Sequence, residues 1–143
     1  MKIQPVIDYL EAAGLGYLDI GAAAELGEVL ENAPRLPALF ILPTGETRTG
    51  GRETGPVLRQ RITYEFSAVS VVRNVAGGTG AAGNDELADL RDGLIGALVA
   101  FRHPAGRNNP VPVSGRLAEL TDRILIFEDA FRFDGVETRE VTS

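Results

Sequence analysis

The stretch VLRQRITYEFSAVSVVRNV, residues 57–75, carries the longest strand pattern in the chain and decides its fold class. From Gln60 to Phe66, large side chains at even positions alternate with polar and charged ones at odd positions, which is the period of a β-strand. Beyond Ser67 the apolar side chains move to odd positions, at Val69 and Val71. A shift of one residue changes the face of a strand, so we predict a bulge or a bend inside this strand.

An amphipathic helix is predicted to follow. Asn84 is a good N-cap, and Asp85 and Glu86 suit the positive end of a helix dipole. Five large apolar residues then recur at helical spacing, which predicts that one side of the helix packs on a core. They are Leu87, Leu90, Leu94, Leu98 and Phe101.

Shorter patterns predict the remaining elements. The chain begins with a helix that ends at Gly14, and it closes on a turn at Asp134-Gly135. Strands are predicted at 17–20, 36–42, 111–120 and 123–133, one or two helical turns in 22–32, and exposed loops at 44–55 (or a long hairpin tip), 76–84 and 104–112. Residues 136–143 form either an edge strand or a tail. This order predicts an α+β fold: an antiparallel-dominated, mixed sheet with two main helices on one face and long flexible loops, as one domain over 1–143.

Composition excludes most catalytic mechanisms. The 143 residues include no cysteine and one histidine, which removes thiolate zinc sites, cysteine nucleophiles and paired-histidine metal sites. A net charge of −6 disfavours wrapping of nucleic acid. The start carries Asp8 and Glu11 where a signal peptide needs an apolar run, and no stretch is long enough to span a membrane, so we expect no membrane association.

Residues 78–83, GTGAAG, match the GxGxxG pattern of dinucleotide-binding loops through Gly78, Gly80 and Gly83. The predicted helix begins after the third glycine, however, and its acidic first turn would repel a phosphate. An acidic residue at the end of a strand about 20 residues later is also missing. The pattern therefore favours a mobile loop without a cofactor, and a small nucleotide-binding enzyme stays as the weaker alternative.

No other set of side chains assembles a catalytic or metal site in the sequence. His103 is interpreted as a residue at the C-terminal end of a helix. Glu128 and Asp129 are neighbours in a strand and point to opposite faces. Asp85, Asp89 and Asp92 share one side of a helix, which is typical of a solvated surface. We therefore predict no enzymatic activity, no catalytic residue, no metal and no cofactor.

One local stretch is basic. It contains Arg48, Arg52, Arg59 and Arg61. A phosphate-binding patch is one interpretation, and salt bridges between subunits are the other, because arginine is favoured at protein interfaces. We take these four arginines and the glycines Gly78, Gly80 and Gly83 as candidate interface residues.

The order of several blocks resembles the tail terminator (tail completion) proteins of long-tailed bacteriophages. The blocks are PALFILP (37–43), VLRQRITYEFSAVSVVRNV (57–75), ELADLRDGLIGALVAFRHP (86–104) and VSGRLAELTDRILIFEDAFRF (113–133). Where many relatives are expected to carry a tryptophan before the proline, this chain has Phe101.

The resemblance implies a structural virion protein that forms a ring, typically a hexamer, at the head-proximal end of the tail. The ring stops polymerisation of the tail tube protein and meets the head-tail connector (neck) protein, and DNA passes through its lumen without specific binding. Assembly is expected in the host cytoplasm. A connector protein of the same assembly and a host-encoded adaptor domain stay as alternatives.

Overall fold

The computed structural model describes residues 1–31, 34–51, 55–74, 81–121 and 123–141. The elements are α1 (Gln4–Ala12), β1 (Asp19–Ala22), α2 (Leu26–Glu31), β2 (Ala38–Thr49), β3 (Val57–Arg73), α3 (Ala81–Val99), β4 (Val111–Leu120) and β5 (Ile124–Glu140). The strands form one five-stranded sheet in the order β1-β2-β3-β5-β4. The β1–β2 pairing is parallel and the other three are antiparallel. The predicted α+β fold with a mixed sheet is confirmed.

Helices α1 and α3 pack on the same face of the sheet, as predicted. We call this the helix face. Its core joins Val6, Ile7, Leu10, Leu94 and Leu98 from the helices to Leu39, Ile41, Phe66, Ala68, Phe131 and Phe133 from the strands. Each of these side chains except Ala68 contributes about 1.5–3 kcal/mol when fully buried, so this face supplies a large part of the hydrophobic stabilisation.

The opposite face of the sheet is also apolar around β2 and β3. Its buried side chains are Ala23, Ala38, Phe40, Leu42, Val69, Val71 and Ile126. The sheet is therefore covered on both faces near its centre, and Ala23 covers the opposite face from the segment that precedes α2.

The predicted bulge in β3 is wrong. Strand β3 pairs with β5 in one unbroken register from Val57 to Arg73. Beyond Ser67, Val69 and Val71 pack on the opposite face, while Ala68 of the same strand still packs on the helix face. The change of apolar phase thus marks the point where both faces become buried. The irregularity lies in β2, between Pro43 and Gly45.

Helix α3 begins earlier than predicted, at Ala81, and ends at Val99. Asn84 is therefore inside the helix and is not its N-cap, and Asp85 and Glu86 lie beyond its first turn. Gly83 allows this start, because a Cβ atom there would lie 2.8 Å from the carbonyl oxygen of Arg73. Glycine at this position lets the helix begin directly against the end of β3.

The predicted turn at Asp134-Gly135 is also wrong, because β5 continues through it to Glu140. Gly135 is instead the place where the carbonyl of Ala105 packs against the strand, with no room for a side chain. Residues 136–140 continue β5 and pair with β3 on one side, at an edge of the sheet, because the pairing of β4 with β5 ends at Arg132. Within 44–55, residues up to Thr49 extend β2, which favours the hairpin over the loop.

Candidate assembly surface

Among the described residues, three strands form one end of the sheet. Strand β1 ends at Ala22, opposite Ile41 of β2. Strand β4 begins at Val111, opposite Arg132 of β5. Beyond these points the sheet consists of residues 45–49, 57–65 and 132–140, which we call the three-stranded end. Most of its side chains are exposed or half-buried, so it offers a large polar surface to a partner.

On the helix face of the three-stranded end, Arg48 is paired within its own subunit. Its Nη2 lies 3.0 Å from Glu46 Oε2, and its Nη1 lies 2.6 Å from Glu137 Oε2. Arg139 contacts the other oxygen of Glu137. The hydrogen bond from Arg48 is the main cause that lowers the pKa of Glu137 below its ordinary value. This face is therefore a balanced network of charges.

The opposite face of the three-stranded end carries an excess of positive charge. Arg59 and Arg61 alternate along β3 with Gln60 and Ile62, and they line one groove with Arg107. We call Arg59, Arg61 and Arg107 the arginine groove. All three are exposed, and none has a carboxylate within 4 Å among the described residues.

Among the described residues, Asp134 is the one carboxylate that lines this region, and it is already hydrogen-bonded. Asp134 accepts hydrogen bonds from Thr63 Oγ1 at 3.0 Å and from Asn108 Nδ2 at 3.1 Å. Both donors to the Asp134 carboxylate are uncharged. The guanidinium groups of the arginine groove therefore stay available to bind another anion.

The basic stretch of the sequence is therefore divided by the sheet. Arg48 lies on one face and Arg59 and Arg61 on the other, while Arg52 lies outside the described residues. Sequence reasoning missed Arg107, whose backbone N–H donates to the carbonyl of Asp134 at 2.7 Å. No local pattern indicates this residue, because only the fold brings its loop to β5.

Of the candidate glycines, Gly78 and Gly80 lie outside the described residues. Gly83 is buried against Arg73 and Leu125 and has little surface to offer a partner. A dinucleotide-binding site is normally built on a βαβ unit whose two strands are parallel neighbours. Here α3 joins β3 to β4, and β5 lies between these two strands, which counts against the dinucleotide alternative.

Helix α3 carries a negative surface. Asp85, Asp89 and Asp92 are exposed at helical spacing, directly away from the side that buries Leu90 and Leu94. We call these three aspartates the acidic stripe. None has a salt bridge to a described residue, so the predicted solvated surface is what the subunit presents.

Arg91 of the same helix turns inward instead. It forms a bidentate pair with Asp129, which is 4% exposed, and its guanidinium lies 3.9 Å from the centre of the Phe127 ring. On the other face, Glu128 accepts hydrogen bonds from Ser67 and Arg116. The prediction that Glu128 and Asp129 point to opposite faces is confirmed.

His103 is a structural residue. It is 2% exposed, and its Nδ1 accepts a hydrogen bond from the backbone N–H of Ala105 at 3.0 Å. Its Nε2 therefore carries the proton and donates to the carbonyl of Lys2 at 2.7 Å. The ring stacks on Phe133 with 5.1 Å between centroids. The residue joins the N-terminus to the loop after α3 and does not cap the helix, which ends at Val99.

The outer edge of β4 pairs with no other described strand and is rich in exposed apolar residues. These are Val111, Val113, Leu117 and Leu120, each between 44% and 57% exposed. An edge strand of this length with apolar side chains is normally covered in the assembled state of a protein.

The described part of the chain offers neither a metal site nor a membrane span. Within it, no group of three or more histidine, aspartate or glutamate side chains is placed to hold a metal ion. None of the described helices is long and apolar enough to cross a membrane.

The family comparison covers nearly the whole chain. The model of the family described as phage tail terminator protein matches residues 1–140. The chain belongs to the phage tail terminator family. No curated protein matches the chain at a significant level.

As a phage tail terminator family member, the chain belongs to a family of structural virion proteins, and the resemblance predicted from the order of the sequence blocks is confirmed. Phe101 lies two residues beyond the end of α3 and is 8% exposed. Its ring lies 4.5 Å from the ring of Tyr9, centroid to centroid, so the aromatic residue at this position fastens α1 to the end of α3.

Proposed function

We propose that this protein forms a ring, typically of six subunits, at the head-proximal end of the phage tail. The ring stops polymerisation of the tail tube and offers its other surface to the head-tail connector. The observation that carries the proposal is the match of the tail terminator family to residues 1–140.

Three surfaces of the subunit support a function by contact. The arginine groove and the acidic stripe both lack an ionic partner among the described residues, and the edge of β4 exposes apolar side chains. Unpaired charge and an uncovered edge are expected of a subunit that is completed by its neighbours. Arg59 and Arg61 remain our candidate interface residues, as does Arg52.

The charge of the subunit supports a lumen for DNA. The net charge is −6, and six copies in a ring repel the phosphate backbone, so DNA slides through without specific binding. Reversal of acidic lumen residues is expected to slow DNA ejection, and unchanged ejection would contradict this part of the proposal.

The test of location is labelling of the protein on purified tails. We expect the label at the head-proximal end, and we expect tail tubes to capture the protein in the absence of connectors. Capture by connectors, with no capture by tail tubes, would favour the connector alternative. Assembly in the host cytoplasm predicts that capped tails are found in lysates of cells that make no heads.

A further inference from the structure

Two oppositely charged surfaces lie on opposite sides of this subunit. The arginine groove opens on the face of the sheet that α1 and α3 leave uncovered, and the acidic stripe points away from the sheet on the helix face. The two also lie at opposite ends of β3, because Arg59 is near its first residue and Gly83, at the start of α3, packs against its last residue, Arg73. They cannot meet within one subunit.

Surfaces that complement each other from opposite sides of a subunit produce a heterologous, head-to-tail contact. Contacts of this type close into a ring when the rotation between copies allows it. We propose that the occupant of the arginine groove is the acidic stripe of a second copy of this chain, with Arg59, Arg61 and Arg107 set against Asp85, Asp89 and Asp92. This inference rests on the proposed ring and names the residues that hold its subunits together.

Charge is the reason to prefer a second copy as the occupant. Three guanidinium groups without ionic partners among the described residues match three carboxylates without ionic partners there. Arginine also forms forked hydrogen bonds with carboxylates, which fixes the register of two subunits as well as attracting them. Duplex DNA is the competing occupant, because phosphates carry the same charge as the stripe.

The test is a charge swap measured by solution mass of the full chain, with tail tubes added where the free chain is monomeric. Reversal of the groove (Arg59→Glu, Arg61→Glu, Arg107→Glu) or of the stripe (Asp85→Lys, Asp89→Lys, Asp92→Lys) is expected to weaken self-association at least about a hundredfold. Combining both sets in one chain restores it. A control matched to the stripe reversal, Asp8→Lys with Glu11→Lys and Glu119→Lys, adds the same positive charge at other exposed sites and leaves association unchanged.

Each contrary outcome has its own meaning. Reversed variants that fold and assemble like the wild type, or a combined variant that stays dissociated, would overturn the pairing and leave the ring intact. Loss of binding to a duplex DNA probe on groove reversal, with assembly unchanged, would overturn the pairing in favour of DNA. A wild-type chain that never self-associates, even on tail tubes, would overturn both the pairing and the proposed function.

Discussion

Arg91 in α3 holds Asp129 in β5 through two parallel hydrogen bonds, Nε to Oδ2 at 2.9 Å and Nη2 to Oδ1 at 2.8 Å. The pair ties the helix that carries the acidic stripe to the centre of the sheet. Gly115 makes room for it, since a Cβ atom there would lie 2.8 Å from Asp129 Oδ1 and 3.0 Å from Arg91 Nη2. Three elements therefore depend on one ion pair.

Removing one partner of this pair leaves a buried charge without compensation. We expect Arg91→Met to lower the free energy of unfolding by about 3 kcal/mol, and Arg91→Met with Asp129→Leu to recover part of that loss. Denaturant unfolding measures both. Arg116→Met is the control, because the Arg116 side chain is 62% exposed and we expect its pair with Glu128 to be worth less than about 1 kcal/mol. Equal losses in Arg91→Met and Arg116→Met would contradict this account.

We expect a glycine-to-alanine substitution to have opposite effects on the free energy of unfolding at two positions of α3. A Cβ atom added at Gly96 would meet no other atom within 4 Å, so Gly96→Ala is expected to stabilise the protein by about 0.5–1 kcal/mol through helix propensity. Gly83→Ala forces the helix away from the Arg73 carbonyl and is expected to cost about 1–3 kcal/mol. Thermal unfolding measures the difference. Stabilisation by both substitutions would show that α3 does not start where it contacts β3.

The sequence predicts the helices, the strand alternation and the family, because each depends on local patterns. It does not distinguish a strand with a bulge from one that is buried on both faces, since Val69 and Val71 fit either case. The sequence also does not predict the Arg91–Asp129 pair or the position of Arg107. Both depend on the sheet order β3-β5-β4 and on contacts between residues far apart in the chain.

We expect the protein to lose stability at alkaline pH because the hydroxyl of Tyr17 is buried. Its hydroxyl is hydrogen-bonded to Ser70 at 2.7 Å, and burial raises its pKa from 10.0 to about 12. A raised folded-state pKa contributes stability that is complete below pH 10 and is lost as the pH rises towards 12. We expect the free energy of unfolding to fall by up to about 2–3 kcal/mol over this window.

Substitution Tyr17→Phe removes the ionisable group and is expected to flatten this part of the pH profile. The chain has no tryptophan and two other tyrosines, so the difference in tyrosinate absorbance between the wild type and Tyr17→Phe reports the titration of Tyr17. A slope in Tyr17→Phe as steep as in the wild type would assign the alkaline loss to another group.

From the environment of Glu137 we expect the stability of the protein to change at acid pH. Its pKa is lowered below 4.5, first by the hydrogen bond from Arg48 and then by that from Arg139. A lowered folded-state pKa contributes stability that is present above 4.5 and is lost as the pH falls through the folded value. Wild type is therefore expected to exceed Arg48→Gln in stability at neutral pH, with the difference shrinking below pH 4.5. A difference that does not change with pH would exclude this carboxylate as its source.

The central claim is that the protein ends growth of the tail tube, and the most direct measurement is the length of tubes polymerised in its presence. Purified tail tube protein is assembled with increasing amounts of the chain, and tube lengths and tube ends are recorded by negative-stain microscopy. We predict that tubes shorten as the ratio rises and that each carries a ring at one end. Tubes of unchanged length, with no protein at their ends, would contradict the account.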